Sequence, residues 1–267
     1  MKIAAIQMVS GTSAERNRET AWRLIGEAAQ GGAELVALPE YFCLMGKSER
    51  DKLAIAEAPG AGPLQQMLAD AAREHKIWLI GGTLPIRTDD PERVLNANCV
   101  YAPDGAAIVR YDKIHLFKFD SERGDHYDEG RTIRAGFEPT SFQAGAVKVG
   151  LSVCYDLRFP ELYRALMRPP CDLISVPAAF THTTGLAHWE LLLRARAVEN
   201  QCYVIAAAQG GVHENGRRTF GHSMVVDPWG KVLNVLPEGE GVVLAEIDLA
   251  RIAAVRQQLP ALEHRVL

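Results

Sequence analysis

Residues 149–161, VGLSVCYDLRFPE, join an apolar run to a short cluster of charged side chains. The apolar run is typical of a strand buried on both faces. Pro160 fits the first turn of a helix, because that turn leaves its N–H groups unpaired and proline has none to lose. Cys154 therefore stands at the carboxyl end of a buried strand, where open α/β sheets bind their ligands. The thiol is either core filler or a reactive group at the edge of a sheet.

Outside this stretch, strand and helix patterns alternate along the chain. The first helix is predicted by apolar residues at helical spacing, namely Ala21, Leu24, Ile25 and Ala28. Alternating elements with several hairpins predict an α/β fold of two mixed sheets packed together, with helices outside, in a single domain over residues 1–267. The predicted strands cover 2–9, 34–40, 76–86, 94–102, 106–112, 147–153, 172–180, 202–208, 219–236 (a hairpin) and 241–249, and the predicted helices cover 14–33, 63–75, 159–167 and 185–200.

The composition excludes several classes of protein. Of the 267 residues 48% are apolar, and the net charge of −4 argues against a nucleic-acid binder, which needs a basic face. No apolar run reaches the roughly 18 residues that cross a bilayer, and the amino terminus is typical of a strand rather than a signal peptide. The 5 cysteines lack CxxC spacing, which indicates reduced thiols rather than a disulfide framework or a zinc site. We expect a cytoplasmic protein that binds neither nucleic acid nor membranes.

Three ionisable residues follow apolar runs at separate places in the chain. Glu40 follows LVALP, Lys113 follows AIVRYD and Cys154 follows GLSV. Because ligands gather at the carboxyl ends of strands in open α/β sheets, we expect these three side chains to meet. A carboxylate, an ammonium and a thiol are suited to hydrolysis through a covalent thioester.

Each of the three residues has a role in that chemistry. An ammonium and a helix amino terminus both favour thiolate, so we expect a lowered pKa for Cys154. Glu40 would take the thiol proton and later pass it to a leaving amine, as a general acid–base catalyst. Lys113 is better suited to stabilise an oxyanion, together with the backbone N–H of Tyr155.

The same residues have structural interpretations. A cysteine at a strand end is often a small buried hydrophobe, a glutamate after proline is often a solvated cap, and most lysines lie at the surface. His115 suggests a Cys–His dyad, although we favour a structural role for it. Spacing alone leaves these alternatives open.

At these residues the sequence resembles the nitrilase superfamily of carbon–nitrogen hydrolases. LVALPEYF, YDKIHLF and GLSVCYDLRFPELYRAL resemble its glutamate, lysine and cysteine motifs, and the resemblance runs nearly end to end. It implies an α-β-β-α sandwich, a homodimer or larger homo-oligomer, and catalysis without a metal or organic cofactor. It also implies that Glu40 is the general base, Lys113 the oxyanion cation and Cys154 the nucleophile of an enzyme that hydrolyses a small-molecule amide.

The family has a second active-site glutamate between the lysine and the cysteine. Glu129 in HYDEGRTIRAG is the best match, with Glu122 and Glu138 as alternatives. All three lie in the polar stretch 118–140, which is longer than an ordinary connection and therefore predicts a functional loop. The resemblance implies that this loop brings a carboxylate to the pocket.

Two later stretches indicate the branch of the family. GLAHWELLLRARAVENQCYVIAAAQGG and FGHSMVVDPWGKV resemble the Nit branch, and within it the amidases of deaminated glutathione. The ω-amidases typically have Ser-Pro where this chain has Gln209-Gly210. The resemblance implies hydrolysis of the amide of deaminated glutathione to 2-oxoglutarate and cysteinylglycine. The alternatives are an ω-amidase acting on 2-oxoglutaramate, an N-carbamoyl amino acid hydrolase, or a non-catalytic metabolite-binding scaffold.

A 2-oxo acid presents a carboxylate that needs a cation or hydroxyl donors. Arg158, four residues after the nucleophile, is suited to bind it through two hydrogen bonds. The structural alternative for Arg158 is a salt bridge with Asp156 or Glu161.

Other substrate contacts are expected at the same mouth. Phe180 and Thr184 follow another strand end and match family substrate contacts, and we place Tyr41 and Tyr155 beside them. Phe180 also suits core packing, and Thr184 suits the cap of the following helix. In that helix we expect a packed face made of Leu191, Leu192, Ala195 and Val198.

Overall fold

The computed structural model describes residues 1–120 and 126–266. Within these ranges two mixed sheets pack face to face with helices outside, so the predicted α-β-β-α arrangement is confirmed. The strands are β1 Lys2–Gln7, β2 Leu35–Ala37, β3 Trp78–Ile80, β4 Leu84–Arg87, β5 Val94–Tyr101, β6 Ala107–Asp112, β7 Lys118–Asp120, β8 His126–Asp128, β9 Ser141–Ala144, β10 Val147–Leu151, β11 Leu173–Ser175, β12 Tyr203–Ala206, β13 Gly210–Val212, β14 Arg218–Phe220, β15 Ser223–Val226, β16 Val232–Leu236 and β17 Gly241–Glu246. The α-helices are α1 Ala14–Gln30, α2 Asp51–Ala54, α3 Pro63–His75, α4 Pro160–Ala165, α5 His182–Asn200 and α6 Leu249–Gln258, and short 3-10 helices cover Glu129–Arg131 and Cys154–Arg158.

The two sheets share one plan, with three parallel strands at the centre and antiparallel strands around them. In the first sheet the order is β17-β1-β2-β3-β5-β4, with β6 also paired to β5, and β1, β2 and β3 are parallel. In the second sheet the order is β16-β15-β12-β11-β10-β9, and β10, β11 and β12 are parallel. The chain segments that follow β2 and β10 carry Glu40 and Cys154, so each sheet contributes to the site from a strand's carboxyl end.

Alternation along β1 explains how the layers are joined. Ile3 and Ala5 belong to the core between the sheets, whereas Ala4 and Ile6 belong to the core under α1 and α3. Successive residues of a strand point to opposite faces, so an apolar run such as IAAI fills both cores. All the apolar positions predicted for the inner face of α1 are buried, namely Ala21, Leu24, Ile25 and Ala28.

The predicted packed face of α5 is wrong. Leu191 is 68% exposed and Val198 is 49% exposed, whereas the buried apolar face carries Trp189, Leu193 and Ala197. Apolar residues occur on several sides of this helix, so their spacing alone does not select the buried side.

The apolar run 76–86 is two strands rather than the one strand predicted. Gly82, between β3 and β4, has φ +60°, and a Cβ atom there would lie 2.2 Å from the carbonyl oxygen of Pro39. Only glycine allows both the backbone conformation and this close approach. The adjacent Thr83 accepts a hydrogen bond from the N–H of Tyr41 through Oγ1 at 2.9 Å. The break between the strands therefore supports the turn that carries Glu40.

The polar stretch 118–140 contains more structure than predicted. β7 and β8 pair as an antiparallel hairpin, and the 3-10 helix that follows begins at Glu129. The N–H of Glu129 donates to the carbonyl of Phe117 at 3.0 Å, which joins this helix to the segment after Lys113. Of the alternative glutamates, Glu122 lies outside the described residues.

None of the helices in residues 1–120 and 126–266 combines the length and the hydropathy needed to span a membrane.

Candidate active site

The structure brings together the side chains predicted to meet at the strand ends. Glu40, Lys113, Glu129 and Cys154 are all buried, each with at most 8% of its surface exposed. Three of these four groups are charged at neutral pH when titrating normally, so their burial requires compensating contacts. The contacts below show how each group is held.

Glu40 is held by donors from three separate elements. Its Oε1 accepts hydrogen bonds from Asn96 Nδ2 and Lys113 Nζ, both at 2.9 Å. Its Oε2 accepts from the backbone N–H of Ala179 at 3.0 Å. Gln209 supports the backbone at this point by donating to the Glu40 carbonyl at 3.1 Å. The carboxylate is therefore fixed in one orientation.

Lys113 lies between two carboxylates. Its Nζ is 2.9 Å from Glu40 Oε1, and 2.8 and 3.0 Å from the two oxygens of Glu129. Burial lowers the pKa of Lys113, but Glu129 and Glu40 outweigh burial and hold that pKa well above its usual value. The side chain is therefore an ammonium across the physiological pH range and is not a base.

Glu129 is the glutamate that the polar stretch brings to the lysine. Besides Lys113, it accepts a hydrogen bond from the Tyr41 hydroxyl at 2.6 Å and from the Phe117 N–H at 2.8 Å. Burial raises the pKa of Glu129, but Lys113 and the hydrogen bonds lower that pKa by a larger amount. Glu129 is therefore held ionised. The alternative Glu138 is exposed.

Cys154 begins its 3-10 helix in a backbone conformation that side chains rarely adopt. Its φ is +49°, and its N–H donates to the Pro177 carbonyl at 2.9 Å. For a residue other than glycine this conformation costs about 1–3 kcal/mol. Residues strained in this way are found most often at functional sites. The turn directs the thiol into the pocket that Glu40 and Glu129 also line.

The expectation of a lowered pKa for Cys154 is wrong. Burial and the nearby Glu40 carboxylate raise its pKa well above the usual value, and Lys113 and the Ala179 N–H lower it by less. The resting side chain is therefore a thiol. The helix α4 begins only at Pro160 and the residue itself is buried, so desolvation outweighs the two influences that favour thiolate.

Asp156 joins the lysine and cysteine segments. It accepts hydrogen bonds from the Tyr111 hydroxyl at 2.7 Å, the Val153 N–H at 2.8 Å and the His115 N–H at 3.0 Å. The His115 ring contacts Asp156 at 2.8 Å through Nδ1 and stacks on Phe159. These contacts give His115 a structural role.

Two adjoining spaces surround these groups. The inner pocket has a volume of about 20 Å³, and the outer cleft beside it has a volume of about 610 Å³. The inner pocket is lined by Glu40, Tyr41, Phe117, Glu129, Cys154, Tyr155, Arg158, Ala179, Phe180, Thr181, Thr184 and Arg217. The outer cleft is lined by Tyr41, residues 44–49, Lys52, Phe119, Tyr127, residues 181–183 and residues 215–218.

All five predicted substrate contacts line the inner pocket, namely Tyr41, Tyr155, Arg158, Phe180 and Thr184. Tyr155 is the second residue of its 3-10 helix, so its N–H has no acceptor within that helix and is available beside the thiol. Burial, then Glu129, raises the pKa of Tyr41, so its hydroxyl remains a donor.

Arg158 does not form the salt bridges that were its structural alternative. Its guanidinium contacts His188 Nδ1 at 3.1 Å and lies over the rings of Tyr155 and Phe180, at 5.8 and 5.2 Å from their centroids. Phe180 packs in turn on Trp189, so it belongs to both the core and the pocket wall. Arg158 therefore has its charge on the pocket side.

The capping role expected for Thr184 is wrong, because α5 begins earlier than predicted. Thr181 is the residue before the first turn, and Thr184 lies inside that turn with its hydroxyl 2.8 Å from that of Thr181. The Thr184 side chain lines the inner pocket.

Sequence reasoning missed several residues that hold the site. Asn96 donates to Glu40 from within the buried strand β5, and Gln209 contacts both the Glu40 carbonyl and Ser10. Arg217, in the turn between β13 and β14, reaches both spaces. A polar residue inside an apolar run was a signal for Asn96, whereas the sequence around Arg217 has no such contrast.

An α-β-β-α sandwich with a thiol, an ammonium and two carboxylates buried at its strand ends has the architecture of the nitrilase superfamily. A family model for carbon-nitrogen hydrolases matches residues 2–257. A deaminated glutathione amidase of Synechocystis sp. (strain PCC 6803 / GT-S) is 43% identical over 266 residues, covering 98% of this chain and 97% of that relative. This chain belongs to the carbon–nitrogen hydrolase family and is an amidase.

Solved structures agree with this assignment. The Caenorhabditis elegans NitFhit protein superposes with a TM-score of 0.91 at 39% identity, over 99% of this chain, which spans 65% of that one. Saccharomyces cerevisiae Nit3, a member of branch 10 of the nitrilase superfamily, superposes with a TM-score of 0.90 at 31% identity, over 100% of this chain and 97% of that one.

Proposed function

We propose that this amidase hydrolyses the amide of deaminated glutathione to 2-oxoglutarate and cysteinylglycine, with Cys154 as nucleophile. The observation that carries the proposal is the buried ammonium of Lys113 between Glu40 and Glu129, at the pocket that Cys154 also lines. Support for the substrate comes from the Synechocystis relative, which is similar over nearly the full length of both chains.

The first half of the reaction forms a thioester. Glu40 takes the proton from the Cys154 thiol as sulfur attacks the amide carbon, and the carbonyl oxygen becomes an oxyanion. Lys113 and the Tyr155 N–H stabilise that oxyanion. When the C–N bond breaks, the protonated Glu40 gives its proton to the leaving nitrogen, and cysteinylglycine leaves as an amine.

The second half releases the acid. A water molecule attacks the thioester carbon through its oxygen while Glu40 takes a proton from that water. The Cys154 sulfur then leaves and recovers its proton from Glu40. The raised pKa of Cys154 suits this scheme, because a resting thiol needs a base and Glu40 is the base beside it. Lys113 is held charged and so acts on the oxyanion in both halves.

Glu129 acts through Lys113 as a positioning residue. It contacts the ammonium with both oxygens, and the Tyr41 hydroxyl and Phe117 N–H fix its own orientation. Without Glu129, Lys113 would have one carboxylate partner in place of two, and Glu40 alone would determine the position of its ammonium.

The acyl part of the substrate carries a 2-oxo carboxylate, which we assign to Arg158. Its guanidinium is held over two aromatic rings at the pocket wall, and a planar guanidinium binds a carboxylate through two hydrogen bonds. The Thr184 hydroxyl, on the same wall, is a further donor.

The decisive experiment compares Cys154→Ala with Cys171→Ala, a change at another buried thiol that lies outside both spaces. With deaminated glutathione as substrate, Cys154→Ala should abolish release of cysteinylglycine and the acyl adduct seen by intact-mass spectrometry, while circular dichroism stays unchanged. Cys171→Ala should keep both. Full activity in Cys154→Ala would overturn the assignment of the nucleophile.

The choice of substrate is tested separately. The wild-type protein is assayed with deaminated glutathione, 2-oxoglutaramate and N-carbamoyl-β-alanine at equal concentrations. We expect the highest kcat/KM with the first of these. Inactivity on deaminated glutathione with turnover of either other compound would assign the chain to a different branch.

We also propose a homodimer that is formed through the outer face of α5. Leu191 and Val198 on this helix and Trp229 in the turn between β15 and β16 are 68%, 49% and 55% exposed, and Arg194 reaches from the helix to the carbonyl of Gly230 in the same turn at 2.8 Å. Adjacent exposed apolar side chains are typical of a contact between copies. Sedimentation velocity should show a dimer for the wild type and a monomer for Leu191→Asp.

The state of the cysteines supports a proposal for the compartment. All five are free thiols in the structure, and unpaired cysteines are typical of a reducing environment. We therefore propose a cytoplasmic location, to be checked by fractionation of the producing cells.

A further inference from the structure

Arg217 occupies the boundary between the inner pocket and the outer cleft. Its side chain lines both spaces, and its backbone is fixed in the turn between β13 and β14 by a hydrogen bond from its N–H to Asn215 Oδ1 at 2.9 Å. Below that turn the buried His213 ring joins the Thr219 hydroxyl at 2.7 Å and the Ser10 carbonyl at 2.8 Å. The arginine is therefore presented from a fixed support.

Its guanidinium is poorly satisfied by the protein. It is half-buried, and its contacts are the Met45 sulfur at 3.9 Å, the Ala179 carbonyl at 3.4 Å and the face of the Tyr127 ring at 5.1 Å. Its Nε is buried without a hydrogen-bond partner, and in residues 1–120 and 126–266 no carboxylate lies within ion-pair distance of it. A half-buried guanidinium with a free donor is suited to receive an anion.

The other lysines and arginines that line the outer cleft differ from Arg217, because Lys47 is exposed and the remaining two are paired. Lys52 pairs with Glu49 at 2.6 Å, and Arg218 pairs with Glu238 at 3.1 Å. Both pairs involve exposed carboxylates, and such pairs contribute little. Arg217 thus combines partial burial, a charge with no carboxylate partner among the described residues, and a position next to the reacting groups.

The substrate of the proposed function has two carboxylates on opposite sides of the scissile bond. One belongs to the 2-oxo acid, which we assign to Arg158, and the other is the carboxyl terminus of the cysteinylglycine leaving group. Arg158 lines the inner pocket only, whereas Arg217 also lines the outer cleft, whose volume of about 610 Å³ is that of a typical ligand site. The leaving group therefore lies on the side of Arg217.

We propose that Arg217 binds the terminal carboxylate of the leaving dipeptide and so selects peptide-like amides over primary amides. This assignment rests on the proposed function. The contact lies away from the bond that breaks, so it contributes equally to the ground state and the transition state and acts on KM rather than kcat.

The test crosses a change in the protein with a change in the substrate. Wild type and Arg217→Gln are assayed on deaminated glutathione and on the same compound with its glycine carboxylate converted to a carboxamide. In the wild type the carboxamide should lower kcat/KM about 10- to 100-fold, the range of a charge-assisted hydrogen bond. Arg217→Gln should hydrolyse both substrates with nearly the same kcat/KM, close to that of the wild type on the carboxamide. The fall on deaminated glutathione should come from a higher KM.

The adjacent Arg218→Gln is the matched control, because Arg218 lines the outer cleft only and already has a carboxylate partner. It should keep the wild-type preference for the carboxylate. The assignment would be overturned if Arg217→Gln lowered kcat/KM by the same factor, relative to the wild type, on both substrates. It would also be overturned if kcat/KM fell on neither. Inactivity of the wild type on deaminated glutathione would instead overturn the proposed function and this assignment with it.

Discussion

The charged side chains at the inner pocket and those of the outer cleft differ in how fully they are paired. At the inner pocket Glu40 and Glu129 are buried and bonded to the buried Lys113 behind them and to backbone groups. In the outer cleft the exposed Arg218 pairs with a surface carboxylate, and Arg217, which lines both spaces, has a buried Nε without a hydrogen-bond partner in residues 1–120 and 126–266. A fully bonded cluster has its geometry fixed before the substrate arrives. A cation without an ion-pair partner remains available to bind an anionic substrate. The reacting cluster is therefore fixed in advance, whereas recognition of the leaving group is assigned to Arg217 at the boundary of the two spaces.

The largest effect should come from removing the base of the inner pocket. Glu40→Gln keeps the shape of the side chain but cannot accept the thiol proton, so kcat on deaminated glutathione should fall by about 10³-fold or more. Steady-state kinetics measure the fall, and circular dichroism checks the fold. The pocket is then intact in shape and inactive.

Glu57→Gln is the control for that substitution. Glu57 is another buried glutamate, and it accepts hydrogen bonds from the first N–H groups of α3, at Leu64 and Gln65, outside the inner pocket. Its substitution should lower the melting temperature and leave kcat within a few-fold of the wild type. If Glu40→Gln kept kcat within tenfold of the wild type, Glu40 would not be the base.

A smaller loss is expected from Glu129→Gln. Gln keeps one acceptor oxygen, so Lys113 loses one of its two contacts with this side chain and all of its attraction to the charge. A displaced oxyanion cation should lower kcat by about 10²-fold with little change in KM. The same change at the exposed Glu138 should have no effect on kcat. A loss confined to KM would show that Glu129 binds substrate rather than positioning Lys113.

The titration of Cys154 tests whether the inner pocket favours the thiol. Because burial and Glu40 raise its pKa, less than half of this side chain should be thiolate at pH 8.5, where a free cysteine is half ionised. The ultraviolet absorbance of thiolate, taken as wild type minus Cys154→Ala, should rise at a higher pH than that of a free cysteine. A step below pH 8 would mean that Lys113 outweighs burial.

The sequence allowed the reacting groups to be predicted, because reactive side chains stand out against the apolar strands that carry them. Glu40, Lys113 and Cys154 each follow such a run, and the structure brings all three to one pocket region. Glu129 was found through family resemblance, since nothing in its own polar stretch distinguishes it from Glu138. Long-range contacts decide between such residues, and one sequence does not contain them.

Other features were not predictable for the same physical reason. The pKa of Cys154 depends on how deeply the thiol is buried, which outweighs its neighbours' charges. The buried side of α5 depends on the sheet beneath it, because Leu191 and Leu193 are equally apolar yet only Leu193 is packed. Arg217 is one of many arginines in the sequence, and it is distinguished by a buried Nε that has no hydrogen-bond partner within the part of the chain that the structure describes.

The smallest effect should come from Lys52 in the outer cleft. Its Nζ pairs with Glu49 at 2.6 Å and lies 5.4 Å from the centroid of the Tyr41 ring. Lys52→Gln should raise KM for deaminated glutathione about two- to fivefold at low salt and leave kcat unchanged, because a pair with an exposed carboxylate and a cation–π contact each contribute less than about 1 kcal/mol. At high ionic strength the difference should shrink, since salt screens exposed charges more than buried ones. A fall in kcat that persists in high salt would show that Tyr41 passes the change on to Glu129, and charges of the outer cleft would then affect the reacting cluster.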